Sequence, residues 1–143
     1  MRSNLNSQVQ YHIGMGAQSG INASLRHDPA FMRANGVVYA AYSTLCGPCP
    51  SPDNRLLIDG PMVTSIGKAH GVSGAQVALK WAVQQGMPVI PRSTNPEHLR
   101  TNLDLFGFNL TGGEMGTLSA ASMPVETGTP PQPPDDAQDC LVP

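Results

Sequence analysis

Three stretches hold side chains whose types and spacing could do chemistry. The first is Arg92-Ser93-Thr94-Asn95-Pro96-Glu97-His98. Asn95 reads as a helix cap, Pro96 as its first residue and Glu97 as a first-turn acid. A guanidinium and a hydroxyl placed just before a helix start suit an anion such as phosphate. The second is Cys46-Gly47-Pro48-Cys49, the spelling of a redox dithiol. Such a pair needs a helix starting at the first thiol to lower its pKa. Pro50-Ser51-Pro52 follows and resists one, so loop cysteines or a disulfide are the plainer reading. The third is the set of four histidines, His12, His27, His70 and His98. They are scattered, and no pair has zinc spacing with a cysteine. His12 reads as a supporting residue, and His70 sits at a helix end, where a cation is favoured.

These residues must be positioned by an alternating set of elements. Val9, Tyr11 and Ile13 alternate with polar neighbours, which predicts a strand over 8–13. A helix over 25–34 ends at Asn35-Gly36, a left-handed C-cap pair. The next strand, 37–42, is almost wholly apolar, as in a parallel sheet covered on both faces. Residues 44–54 read as a proline-broken loop. Helices follow over 61–69 and 75–85, the second capped by Ser73 and carrying Val77, Leu79, Trp81 and Ala82. Trp81 and the methionines read as core. Residues 88–91 form a third short strand. The helix starting at Asn95-Pro96 carries Leu99, Leu103 and Phe106 on one face. Thr111 and Glu114 spell a capping box before a last helix of about eight residues. From Met123 the chain is proline-rich and reads as an irregular tail. Strand-helix alternation implies right-handed parallel units. About three strands leave sheet edges and an apolar face without internal cover.

Composition narrows the function classes. A length of 143 residues fits one domain. Formal charge is −2 with 13% charged residues, and Lys68 and Lys80 are the only lysines, so neither nucleic acid nor an anionic membrane surface is an expected partner. The apolar run 36–42 is far below the roughly 18 residues of a membrane span. The first seven residues lack the apolar region of a secretory signal, and they are too few for a transit peptide. Three cysteines without framework spacing suit the cytoplasm or another reducing compartment.

Five ordered blocks resemble one family. Ser7-Gln8-Val9-Gln10-Tyr11-His12 is similar to the sixth strand of the aldo-keto reductases, and Ala40-Ala41-Tyr42-Ser43-Thr44-Leu45 to the seventh, with threonine where proline is usual. Residues 71–81 match the family's seventh barrel helix. Residues 89–98 resemble the signature after the last barrel strand, and 106–111 the run into the last helix. The resemblance covers residues 5–122, leaving 123–143 as the tail. It implies an α/β fold, part of a (β/α)8 TIM barrel, and family chemistry of carbonyl reduction with NAD(P)H. It implies NADP(H) contacts at Gln8 (nicotinamide carboxamide), Tyr42 (stacked on the ring), Ser43 and Leu45 (pyrophosphate), and Arg92, Ser93 and Thr94 (adenosine 2′-phosphate). Asn102 is retained from the family's pattern. His98 stands in place of the arginine that lies against the adenine, and Thr101 in place of a glutamate. NADP preference therefore rests mainly on Arg92.

The resemblance also implies a limit. The family's catalytic Asp, Tyr, Lys and His come from earlier strands, and no such set stands in a family-like context in these residues. No catalytic residue is therefore assigned, and no metal site. Three functions follow as alternatives. The chain carries the cofactor half of a carbonyl reductase, active on a small carbonyl substrate only with a completed barrel. Alternatively it is a non-catalytic accessory subunit whose bare sheet docks on a protein partner. The third is a redox protein built on Cys46 and Cys49.

Overall fold

A computed structural model describes residues 6–13, 29–45 and 53–121. Three of the expected features lie outside the described residues: the Cys46–Cys49 motif, residues 25–28 of the first expected helix, and the proline-rich tail. The elements are β1 (Asn6–Gln10), α1 (Pro29–Ala34), β2 (Val38–Tyr42), α2 (Asp53–Leu56), α3 (Pro61–His70), α4 (Gly74–Gln84), α5 (Pro96–Leu103) and α6 (Gly112–Ala120).

β1 and β2 run parallel, from Asn6 opposite Val38 to Gln10 opposite Tyr42. The first strand therefore ends earlier than its alternation predicts. Its pairing is set by where β2 begins and ends: the Tyr11 amide still donates to the Tyr42 carbonyl at 3.2 Å, and the chain beyond it leaves the ladder. The expected third strand contributes one parallel bridge, Ala41 to Val89. Ala41 donates to the Pro88 carbonyl at 2.7 Å, and Ile90 donates to the Ala41 carbonyl at 3.2 Å. Pro88 and Pro91 flank the bridge, and neither has an N–H to extend a ladder. The arrangement is α/β, a short parallel sheet with helices packed on one side.

Helix α4 is the centre of the core. Val77, Ala78, Trp81 and Ala82 are buried together with Ile13, Ala41, Leu57, Val63, Leu110 and Leu118. Trp81 stacks on Tyr11, with ring centroids 4.9 Å apart and planes 8° from parallel. Its indole N–H donates to Ser119 Oγ at 3.0 Å, which ties α4 to α6. The Tyr11 hydroxyl donates to Gln85 Oε1 at 2.9 Å. Burial pushes the Tyr11 phenol up from its ordinary value, and the Gln85 bond offsets part of this.

A polar row on α4 fixes the segment that follows α5. Gln76, Lys80 and Gln84 are spaced four residues apart, so they share one helix face. Gln76 donates to the Asp104 carbonyl at 2.9 Å and Lys80 to the Leu105 carbonyl at 2.8 Å. Gln84 exchanges two bonds with the Leu110 backbone, at 2.6 and 3.1 Å. Lys80 is buried, and its ammonium lies 5.7 Å and 5.5 Å from the rings of Phe106 and Phe108. A buried lysine keeps company in this way with one carbonyl and two π faces.

Caps end the helices where the residue types predict. Ser73 and Gln76 form a capping box on α4, and Thr111 and Glu114 form one on α6. Asn95 accepts from the Glu97 amide at 2.9 Å. Gly36 has φ +71°, the left-handed backbone expected after α1. Helix α3 ends in the same way at Gly71. Helix α2 was not expected, because prolines precede it. Leu99 and Leu103 lie on α5, but the helix ends before Phe106, so the expected three-residue face is not formed, and all three are exposed.

The opposite face of the sheet is exposed towards its two ends, while Ala40 at its centre is buried. Side chains two apart on a strand share a face, so Val38 and Tyr42 lie together, with Gln8 and Ile90 beside them by register. Val38, Tyr42 and Ile90 are 46%, 41% and 48% exposed. No helix among the described residues is long and apolar enough to cross a membrane.

Candidate functional site

A groove of about 1140 Å³ opens at the C-terminal end of β2. Three pieces of chain line it. The strand end supplies Tyr42, Ser43, Thr44 and Leu45. The stretch from Ile58 through α3 to the start of α4 supplies Asp59, Thr64, Lys68 and Val72 to Ala75. The stretch from Ile90 into α5 supplies Arg92, Ser93, Glu97, His98, Thr101 and Asn102.

The strand end is shaped by its backbone. Ser43 has φ +52° and is the one non-glycine among the described residues in the left-handed region. That conformation costs a side-chain-bearing residue about 1–2 kcal/mol, and it turns the chain sharply out of β2 beside the groove. Thr44 is buried and reaches back to the Ala41 carbonyl at 3.5 Å. Tyr42 stands half exposed at the last ladder position, and its hydroxyl has no hydrogen bond among the described residues.

The α5 side is pre-set by its cap. Ser93 Oγ accepts from the Asn95 amide at 3.1 Å, and Asn95 Oδ1 accepts from the Glu97 amide. Arg92 and Ser93 therefore stand immediately before a helix N-terminus that faces the groove, where anions are favoured. His98 lies one turn in and is exposed, whereas Asn102 is buried.

Of the nine expected contact residues, Tyr42, Ser43, Leu45, Arg92, Ser93, His98 and Asn102 come together in this groove. Gln8 and Thr94 do not line it. Gln8 is exposed on the open sheet face, at the register of Ala40. Thr94 is exposed between Ser93 and the Asn95 cap.

Several lining residues were not expected. Ile58, Asp59, Thr64, Lys68 and the start of α4 enter because α3 and α4 cross closely. A signal for that crossing exists in the glycines. A Cβ at Gly67 would meet the Val72 carbonyl oxygen at 2.5 Å, and one at Gly74 would meet the Ile58 carbonyl and Val63 Cγ2.

His12 and His70 sit elsewhere, and His27 lies outside the described residues. His12 is buried, and its Nδ1–H donates to the Ile13 carbonyl at 2.8 Å. Burial pushes its imidazole below the ordinary value, more than the backbone bond raises it, so the ring is held neutral. His70 Nε2–H donates to both Glu114 oxygens at 3.0 Å, joining the end of α3 to the cap of α6. Bonds from the Thr111 amide and then from His70 hold the Glu114 carboxyl below the usual carboxylate range. No group of three His, Cys, Asp or Glu among the described residues could hold a metal ion.

Comparison with known proteins gives a consistent result. The model of the Aldo/keto reductase family matches residues 6–122. A probable NAD(P)H-dependent D-xylose reductase of Arthroderma otae is 38% identical over 109 residues, 71% of this chain and 33% of that protein. Morphine 6-dehydrogenase of Pseudomonas putida is 36% identical over 106 residues, 70% of this chain and 36% of that protein. The chain thus spans about a third of the length of these curated relatives. An aldo-keto reductase from a Medee basin deep-sea metagenome superposes with a TM-score of 0.65 at 25% identity, covering 82% of this chain and 39% of that one. A mutant of Gox0644 in complex with NADPH superposes with the same TM-score and identity, covering 84% and 39%.

Proposed function

The chain belongs to the aldo/keto reductase family, and on that footing we propose that it carries the cofactor-holding part of an enzyme that reduces carbonyl groups with NAD(P)H. One observation carries the reading. Seven residues assigned to the cofactor by resemblance, from strand end, loop and helix start, line a single groove. The groove also fits the group chemically. Its two carboxylates pair with arginines outside the lining, Asp59 with Arg55 and Glu97 with Arg100. Lys68 and Arg92 make no ion pair among the described residues, so net positive charge faces the space a phosphate-bearing ligand would fill.

When bound, NAD(P)H supplies a hydride. This chain's own residues bind and orient. Tyr42 offers a ring face to the nicotinamide, and aromatic stacking fixes which side of that ring is presented. The turn at Ser43 brings backbone and hydroxyl to the pyrophosphate. Arg92 and Ser93, with the α5 N-terminus, hold the additional phosphate of NADPH. Gln8, on the same open face as Tyr42, is assigned to the carboxamide.

Carbonyl reduction also needs a proton at the carbonyl oxygen. Tyr11 does not suit that task. Its hydroxyl is engaged with Gln85 on the helix side, and burial pushes its pKa up. We assign proton delivery to groups other than these, on the strands that complete the barrel against the open face of Val38, Tyr42 and Ile90. The same open face supports a second reading, a non-catalytic subunit docked on another protein. The relatives are named for D-xylose and for morphine, so the substrate class proposed here stops at a carbonyl compound.

The test is a titration of the chain with NADPH, following nicotinamide emission. The proposal expects a saturable change. It expects carbonyl reduction when the preceding barrel segment of a relative is supplied. No binding, alone or with that segment, would overturn it. Binding without reduction in the completed barrel would favour the second reading.

A further inference from the structure

Ser43 is the strained point of the groove. Its φ of +52° is unfavourable for a residue with a side chain, and such backbone persists only where its surroundings over-determine it. Before the turn the chain is well held. The Ala41 amide donates to the Pro88 carbonyl at 2.7 Å, and the Tyr42 carbonyl accepts from the Tyr11 amide at 3.2 Å. After the turn a single bond does this work. The Thr44 hydroxyl donates to the Ala41 carbonyl at 3.5 Å. Among the described residues, no other hydrogen bond holds Ser43, Thr44 or Leu45.

That bond ties two sides of the groove to one atom. The Ala41 carbonyl also accepts from the Ile90 amide at 3.2 Å, and a carbonyl oxygen has lone pairs for both donors. Ile90 leads through Pro91 to Arg92 and Ser93, while Thr44 follows directly on Ser43. Ala41 is fully buried and Thr44 is 2% exposed. A buried hydroxyl needs a partner, and this carbonyl is the one that Thr44 has. The bond is long, so it adds little to overall stability, and its part is to fix a direction.

We propose that Thr44 is a positioning residue, whose buried hydroxyl on the Ala41 carbonyl keeps Ser43 in the left-handed turn that sets Tyr42, Ser43 and Leu45 for the dinucleotide. It acts through Ser43. The inference rests on the cofactor reading, and one experiment separates the two. NADPH and NADH are each titrated into the full chain and into Thr44→Val, Thr44→Ser, Ser43→Gly and the double variant, with urea unfolding alongside. Thr44→Val replaces a weakly bonded hydroxyl by a methyl of the same shape, so its unfolding midpoint should stay close to the parent's. It is expected to weaken both dinucleotides by about fivefold, the lower end of the left-handed backbone cost. Thr44→Ser keeps the hydroxyl and should keep most of the affinity. Glycine adopts the left-handed backbone without strain. In the Ser43→Gly background, therefore, Thr44→Val should weaken binding by less than about twofold.

Four results would overturn the inference. If Thr44→Val binds both dinucleotides as the parent does, the hydroxyl positions nothing and the cofactor reading stands. If it loses as much affinity with glycine at 43 as with serine, Thr44 does not act through the turn. If affinity falls only together with the unfolding midpoint, Thr44 is a core residue and no more. If the parent binds neither dinucleotide, the cofactor reading fails and takes the inference with it.

Discussion

Replacing Gly67 by alanine should destabilise the chain, against the ordinary rule for helices. Gly67 lies inside α3 and is buried. Elsewhere in a helix interior, glycine to alanine gains about 1 kcal/mol through backbone entropy. Here the new Cβ would stand 2.5 Å from the Val72 carbonyl oxygen, where contacts under 3.0 Å are essentially never seen. Backbone must therefore retreat by at least about 0.5 Å. That backbone is the tight turn between α3 and α4, held by the Val72 amide on the Gly67 carbonyl at 2.9 Å. Overpacking of this kind costs about 1–3 kcal/mol. After the helix gain, a net loss of up to about 2 kcal/mol remains. Because Val72 to Ala75 line the groove, NADPH affinity should fall with it. The assay is urea unfolding, with the midpoint read at constant slope. Gly116→Ala is the control. It lies in α6 with nothing within 4 Å of its Cβ, and it should gain up to about 1 kcal/mol. A Gly67→Ala midpoint raised above the parent as far as that of Gly116→Ala would refute the close-packing argument.

Other expectations are simpler. Trp81→Ala removes a buried ring, its stack on Tyr11 and its bond to Ser119, and should cost about 3–5 kcal/mol in urea unfolding. Glu114 titrates below its ordinary value near 4.5 in the folded chain. Its contribution is therefore present above that pH and is lost as pH falls through the lower folded value. Glu114→Gln should flatten this acid limb, measured as unfolding midpoint against pH. His12 is also depressed, below its ordinary 6.5. Its contribution is whole above that pH and declines as the unfolded chain takes up a proton below it. His12→Gln should remove the decline between pH 6.5 and the onset of carboxylate titration.

Much of the scaffold was legible because its signals are local. The pairs Ser73–Gln76 and Thr111–Glu114 cap helices through bonds three residues long, and Asn95-Pro96 starts one in the same way. Gly36 marks its own left-handed turn. What failed was non-local. The alternation of Val9, Tyr11 and Ile13 is real, but pairing ends at Gln10 because β2 ends at Tyr42. Pro88 to Pro91 is apolar and short, yet its prolines leave one bridge. The His70–Glu114 pair spans 44 residues and no spacing announces it. For the site, the end of β2 and the start of α5 were singled out through the family resemblance of residues 40–45 and 89–98. The α3–α4 side was not, because Lys68 and Gly74 reach the groove only through a helix crossing. The positive φ of Ser43 had no signal in its residue type.

The central claim is that this groove holds a nicotinamide dinucleotide. Amide chemical-shift mapping of the labelled chain with NADPH tests it most directly. The account predicts that saturable shifts gather on Tyr42 to Leu45, on Arg92, Ser93, His98 and Asn102, and on Lys68 with the start of α4, while α6 stays still. Shifts that are absent, or that gather around Trp81 and α6, would contradict it.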